Sequence, residues 1–148
     1  LQNKIANCHT KIQKVNSKAF TNMKTIINSP KAPAPVGPYN HSVLGNGTLY
    51  MSGQIAINHA EGKLITDTIE AETHQVMKNI GYILDEAGMT YENIVKCSVF
   101  VSDMEMYGRI NDVYASYFND DTAPARELVE VANLPKYVNV EISCIAIK

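Results

Sequence analysis

Twice along this chain the apolar spacing changes from every second residue to a period near 3.6 and back again, so any fold must interleave strands with helices. From Asp67 to Ala87, the residues Val76, Ile80, Ile83, Leu84 and Ala87 fall on one helical stripe, with Glu70, Glu72, Lys78 and Asp85 off it. Gly88 then supplies a helix stop. "NIVKCSVFVSD" (93–103) returns to period two, placing Val95, Cys97, Val99 and Val101 on one face. A second helix follows, with Asp103 as its N-cap and Met106, Ile110, Val113, Tyr114, Tyr117 and Phe118 on the buried stripe. After a turn at Asp120-Asp121 come two more strands, "RELVEVANLP" and "YVNVEISCIAI". The second alternates Val138, Val140, Ile142 and Cys144 against Asn139, Glu141 and Ser143.

Ahead of the first helix, "MKTIINS" (23–29) reads as a strand. "PKAPAPVGPYN" (30–40) packs four prolines and a glycine into eleven residues, which makes an ordered, stiff loop. "HSVLGNGTLYMSGQIAI" (41–57) reads as a hairpin turning at Gly45-Asn46-Gly47, and "NHAEGKLI" is a polar stretch with a turn at Gly62. The order β, ββ, α, β, α, ββ predicts an α+β domain, a mixed β-sheet with two helices packed on one face. The 93–101 strand and the last strand also carry apolar residues on their second face: Ile94 and Phe100 in one, Ile145 and Ile147 in the other. Two helices cannot cover both faces, so the second face is expected to be buried by another subunit.

A chain of 148 residues is long enough for one domain with a real core. The net charge of −2 offers no basic excess to draw a nucleic acid. No apolar run approaches the roughly 20 residues of a membrane span, so the chain reads as soluble. Cys8, Cys97 and Cys144 are too few and too widely spaced for a disulfide framework, which fits a reducing, cytoplasmic setting. Residues 1–22 differ from the rest: four lysines, no acid, no arginine and no sustained apolar period. They read as an N-terminal extension, whether a tag, upstream-translated sequence or a presequence that would send the protein to mitochondria; the domain proper is 23–148.

Few residues stand out chemically. In "TAPARELVEV" (122–131), Arg126 stands at the mouth of a half-buried strand on the face of Leu128 and Glu130. It is either a solvated strand-edge charge or an anion site. Glu141 is a carboxylate in a strand of Val, Ile and Cys, so it is partly exposed or held by donors in a site. Tyr39 ends the stiff loop, which suits a ligand pocket or merely packs the loop down. Ser52-Gly53 marks a close backbone approach or an ordinary bulge. Asn111 is polar among the apolar residues of the second helix, or simply faces solvent. His9, His41, His59 and His74 have no metal-ligand spacing and read as separate surface or loop residues, so no metal is expected. Phosphate-cradling glycine motifs and the GxSxG nucleophile elbow are also missing.

"APAPVGPYNHSV", "LYMSGQIAIN", "IVKCSVFVSDM", "INDVYASYF" and "APARELVEVANLPKYVNVEISCIAI", in that order from about Lys24 to Ile147, together resemble the RidA (YjgF-like) family. The resemblance implies a chorismate-mutase-like α+β fold and a homotrimer with clefts between subunits. It also implies cofactor-independent hydrolysis of reactive 2-imino acids and their enamines, such as 2-aminoacrylate, to 2-keto acids and ammonia. On that pattern Arg126 is the residue that binds the substrate carboxylate and Glu141 the one that positions or activates water. Tyr39 lines the pocket, with Ser52, Gly53 and Asn111 around it.

The sequence departs from the family after the arginine, where Glu127 and Leu128 replace a common Ser/Thr-Cys pair. Leu128 offers only its backbone to a ligand, and alternation turns Glu127 away from the face of Arg126. The departure keeps a second reading open, a trimeric small-carboxylate-binding regulatory protein without turnover. An endoribonuclease or translation-inhibitor role fits the acidic charge balance less well.

Overall fold

In the computed structural model, residues 24–148 are described; the expected extension 1–22 and Met23 lie outside them. In chain order the elements are β1 (Lys24–Ile27), β2 (Ser42–Gly45), β3 (Thr48–Gln54), β4 (Ile57–Asn58), β5 (Lys63–Leu64), α1 (Ile69–Glu86), β6 (Ile94–Val101), α2 (Tyr107–Ala115), β7 (Ala125–Glu130) and β8 (Val140–Ile147). Six strands form one mixed sheet in the order β1-β2-β3-β8-β6-β7, and β4 and β5 make a separate ribbon. Only β6 and β7 run parallel, joined by the crossover through α2; the other neighbours are antiparallel. The stretch "NHAEGKLI", expected to be a polar turn, supplies most of the small ribbon.

Local chemistry explains the ends of these elements. The β2–β3 turn is closed by Asn46 and Gly47 at φ 51° and 79°, the left-handed pair that a two-residue hairpin requires. At the start of α1 the Thr68 hydroxyl accepts from the Ala71 N–H at 3.1 Å. At its end Gly88 N–H meets the Asp85 carbonyl and Met89 N–H the Leu84 carbonyl, with Gly88 at φ 66°. That is a Schellman closure, and Met89 is buried against the core behind it. The second helix starts later than its apolar stripe suggests. Asp103 caps a 3-10 turn at Met104–Met106, accepting from Glu105 N–H at 2.8 Å, and α2 begins at Tyr107. Tyr117 and Phe118 therefore lie beyond the helix, yet still pack on the core.

Both helices lie on one face of the sheet. Val76, Met77, Ile80, Ile83 and Leu84 of α1 and Ile110 of α2 are buried against Leu49, Met51, Val99, Ile142, Cys144 and Ala146. Each fully buried aliphatic side chain contributes roughly 1.5–3 kcal/mol through lost apolar exposure. Two expectations are corrected here. Val95 is exposed and Ile94 is buried, because a β-bulge makes two steps on β6 (Ile94 to Lys96) match one on β8 (Ala146 to Ile145). Glu72, read as lying off the apolar stripe, is nevertheless fully buried. Its carboxylate accepts from Asn139 N–H at 2.6 Å, Asn139 Nδ2 at 2.8 Å and Val140 N–H at 3.2 Å, tying α1 to the start of β8.

The second face of the sheet carries Ile26, Val43, Tyr50 and Ile145 in one cross-strand row, with Phe100 and Val129 further along. Ile26, Tyr50 and Val129 are exposed, and neither helix covers them. None of the helices among the described residues is long and apolar enough to cross a membrane.

Candidate functional site

Arg126 sits on the helix face of the sheet, as the Cα partner of Cys97 in the neighbouring strand. Leu128 and Glu130 share that face, opposite Val99 and Val101. The first turns of α2 supply the partners of Arg126. Its Nη1 donates to Asn111 Oδ1 at 3.0 Å and its Nη2 to the Tyr107 hydroxyl at 3.3 Å. Its Cζ stands 4.8 Å from the centre of the Tyr114 ring and 5.9 Å from that of Tyr107, within cation–π range of both. No carboxylate among the described residues makes an ion pair with it. A half-buried guanidinium held only by neutral groups keeps its full charge for an anion. It borders an open hollow of about 390 Å³, with Asn111, Tyr114, Phe118 and Pro124 on the walls.

Glu141 lies on the other face. It is the Cα partner of Phe100 and points into a hollow of about 40 Å³ with Tyr39, Gly53, Ile57 and Pro135. Burial pushes its carboxyl above the ordinary glutamate value, since little in the hollow replaces lost water. Gly53 is essential to this placement: a Cβ there would lie 1.8 Å from Glu141 Oε1. Between Met51 and Gln54, β3 also carries a bulge against β8, so Gly53 marks both a bulge and a close approach.

The proline-rich loop forms one wall and is anchored at several points. The buried His41 ring accepts the Ser29 N–H on Nδ1 at 3.1 Å and donates from Nε2 to the Pro33 carbonyl at 2.7 Å. His41, at the bend before β2, is thus a loop histidine as its spacing suggests, but a buried one whose two bonds hold the loop in place. The Ser52 hydroxyl donates to the Asn40 carbonyl at 2.8 Å, so it secures the loop beside Tyr39. Tyr39 itself is exposed, and its hydroxyl accepts from the Val36 N–H at 3.4 Å. Another wall is held by the buried Asn79, whose Nδ2 donates to the carbonyls of Ile55 and Ile57, each at 3.0 Å. Beyond Pro135, Lys136 and Tyr137 take left-handed φ of 56° and 55°, a strained turn next to the hollow.

The sequence candidates therefore form two groups. Arg126 and Asn111 meet on the helix face, and Tyr39, Gly53 and Glu141 meet on the opposite face, with Ser52 behind the loop. Arg126 shares its face with Cys97 and Cys144, whereas Glu141 is an odd-numbered neighbour of Cys144 in the same strand and points the other way. Within one chain the two cannot grip the same small molecule. Leu128 packs on the core, and Glu127 turns to the second face, where it meets Ser98 and Lys96. Tyr107 and Tyr114 were not among the candidates; their spacing from Asn111, four residues before and three after, was the available signal. No group of three or more His, Cys, Asp or Glu among the described residues could hold a metal ion.

Residues 29–148 match the family model described as Endoribonuclease L-PSP. A RutC family protein of Synechocystis is 46% identical over 123 residues, covering 82% of this chain and 95% of the relative. The 2-iminobutanoate/2-iminopropanoate deaminase of Bos taurus is 41% identical over 126 residues, covering 85% of this chain and 91% of the relative. Among solved structures, Escherichia coli TdcF with bound serine superimposes with a TM-score of 0.79 at 32% identity, over 84% of this chain and 98% of the other.

Proposed function

The chain belongs to the endoribonuclease L-PSP family, the RidA or YjgF-like family of the sequence resemblance, and from that premise we propose that it hydrolyses reactive 2-imino acids to 2-keto acids and ammonia. The substrates are small, such as 2-iminobutanoate, 2-iminopropanoate and the enamine 2-aminoacrylate. The observation that carries this reading is a cationic hollow and a carboxylate hollow on opposite faces of one sheet, each incomplete alone. In a closed homotrimer of head-to-tail contacts, the Arg126 half of one copy meets the Glu141 half of the next, giving inter-subunit clefts and covering the apolar second face. The serine bound by TdcF supports a small amino-acid-like ligand.

Chemically, the division of labour follows from the groups themselves. Of the five N–H donors of Arg126, two are spent on Asn111 and Tyr107, and the rest receive the substrate carboxylate. Tyr39 lines the cleft, and the bulge at Ser52-Gly53 lets the backbone come close. Leu128 contributes only its backbone. Glu141, made a stronger base by burial, takes a proton from water as the water oxygen adds to the imine carbon. That proton passes to the imine nitrogen and completes the carbinolamine. Glu141 then carries the proton of the new hydroxyl to the same nitrogen as the C–N bond breaks and the C=O bond forms, so ammonia leaves with the keto acid behind. The carbon is already electrophilic, so positioning supplies most of the acceleration and no cofactor is called for.

A trimeric carboxylate-binding regulator without turnover is the second reading, favoured by Leu128 where many relatives carry a cysteine. One assay separates the two. A threonine dehydratase generates the imine, semicarbazide traps whatever is not hydrolysed, and wild type is compared with Arg126→Ala. Faster keto-acid release by wild type, lost in the variant, is the expected result. No acceleration by wild type overturns the deaminase reading, and full activity of Arg126→Ala overturns the carboxylate clamp.

A further inference from the structure

We propose that Tyr107 orients the carboxylate of the ligand at Arg126, donating its own hydroxyl proton to it; this rests on the reading of Arg126 as a carboxylate site. Tyr107 opens α2, and Asn111 and Tyr114 follow it at helical spacing, so all three stand on one helix face over the edge strand. The guanidinium is fixed from three sides: Asn111 Oδ1 on Nη1, the Tyr107 hydroxyl on Nη2 and the Tyr114 ring beneath. The plane of the fork is thus set before any ligand arrives.

The hydroxyl matters for a second reason. Tyr107 Oη accepts from a cationic N–H, which directs its own proton away from Arg126. That proton has no acceptor among the described residues, since the bond from Arg126 is the sole hydrogen bond of this hydroxyl there. The residue is also exposed, at 42%, so the hydroxyl is not serving the core. A neutral O–H donor beside unspent guanidinium N–H groups matches a carboxylate: one oxygen on Arg126, the other reached by the hydroxyl through a charge-assisted bond. Tyr114 cannot take this part, because its hydroxyl is buried. Tyr107 is therefore the residue that holds the second carboxylate oxygen, a contact remote from the reacting C=N and made equally before and during the reaction.

The test is Tyr107→Phe, which keeps the ring and its stacking and removes one oxygen. Binding of 2-oxobutanoate, an unreactive carboxylate probe, is measured by calorimetry for wild type, Tyr107→Phe and Arg126→Ala. Loss of a hydrogen bond to a charged group predicts affinity about ten-fold weaker in Tyr107→Phe. In the coupled assay KM rises by a similar factor while kcat stays within about two-fold, a split that loss of fold would not produce. Unchanged affinity in Tyr107→Phe, with binding abolished in Arg126→Ala, overturns the role of Tyr107 and leaves the carboxylate site standing. Failure of the wild-type protein to bind 2-oxobutanoate overturns the carboxylate reading and this inference with it.

Discussion

The Glu141 carboxylate occupies the space that a side chain on Gly53 would need, with Oε1 1.8 Å and Cδ 2.7 Å from where a Cβ would stand. The glycine is thus a condition for the position of the carboxylate as much as a feature of β3. Gly53→Ala must push Glu141 out of its hollow, and a displacement of that order costs about a hundred-fold in rate when positioning carries the catalysis. The expected result is a folded protein by circular dichroism with kcat/KM reduced by about that factor. Retained activity would show that Glu141 works from elsewhere.

The buried setting of Glu141 also fixes a pH dependence. Burial raises its carboxyl above the ordinary value, and in the proposed mechanism Glu141 acts as a base in its ionised form. Activity is therefore lost as pH falls through an apparent pKa higher than that of a free glutamate. For stability the sign is opposite: burial favours the protonated form, so the fold gains below the unfolded pKa and loses that gain as pH rises through the folded one. A kcat/KM profile of wild type should show the raised acid limb, and Glu141→Gln should lack both the limb and most of the rate.

Because Arg126 and Glu141 face opposite ways, inactive variants should rescue each other. If the chain assembles as the proposed homotrimer, Arg126→Ala and Glu141→Ala chains, unfolded together in equal amounts and refolded, form mixed trimers in which about one quarter of the clefts carry both native residues. Activity near that fraction of wild type is expected, against almost none for either variant alone. No recovery in mixtures of confirmed hetero-trimers would mean that each site is built within one chain.

Glu72 carries stability and no chemistry. Its carboxylate is the acceptor for three N–H groups at the start of β8, and nothing else in its surroundings replaces it. Glu72→Ala leaves those donors orphaned in the interior and should cost about 3 kcal/mol in urea unfolding. A change below about 0.5 kcal/mol would mean that water reaches the donors instead.

Much of this molecule could be read from its sequence, for reasons that differ by element. The first helix was legible because its apolar stripe keeps the helical period through to burial and Gly88 marks its end, whereas the Thr68 cap had no such signal. Arg126 and Glu141 stood out because a charge in an apolar strand needs a reason. The exposure of Val95 was hidden, since a bulge adds one residue without altering composition. Glu72 was hidden too: its donors lie 67 and 68 residues away, and nothing local betrays a buried carboxylate. The separation of Arg126 from Glu141 required the strand order, because β7 pairs with β6 and not with its chain neighbour β8. Tyr107 was overlooked for a simpler reason: an aromatic at helical spacing reads as core.

The opposed faces of Arg126 and Glu141 also tie output to abundance. If each cleft is shared by two copies, an isolated chain is a folded protein with no site at all. Dilution below the assembly constant then extinguishes activity without unfolding anything, and specific activity rises with concentration until every chain is assembled. A cell holding such a protein sets its detoxifying capacity more steeply than in proportion to the amount it makes.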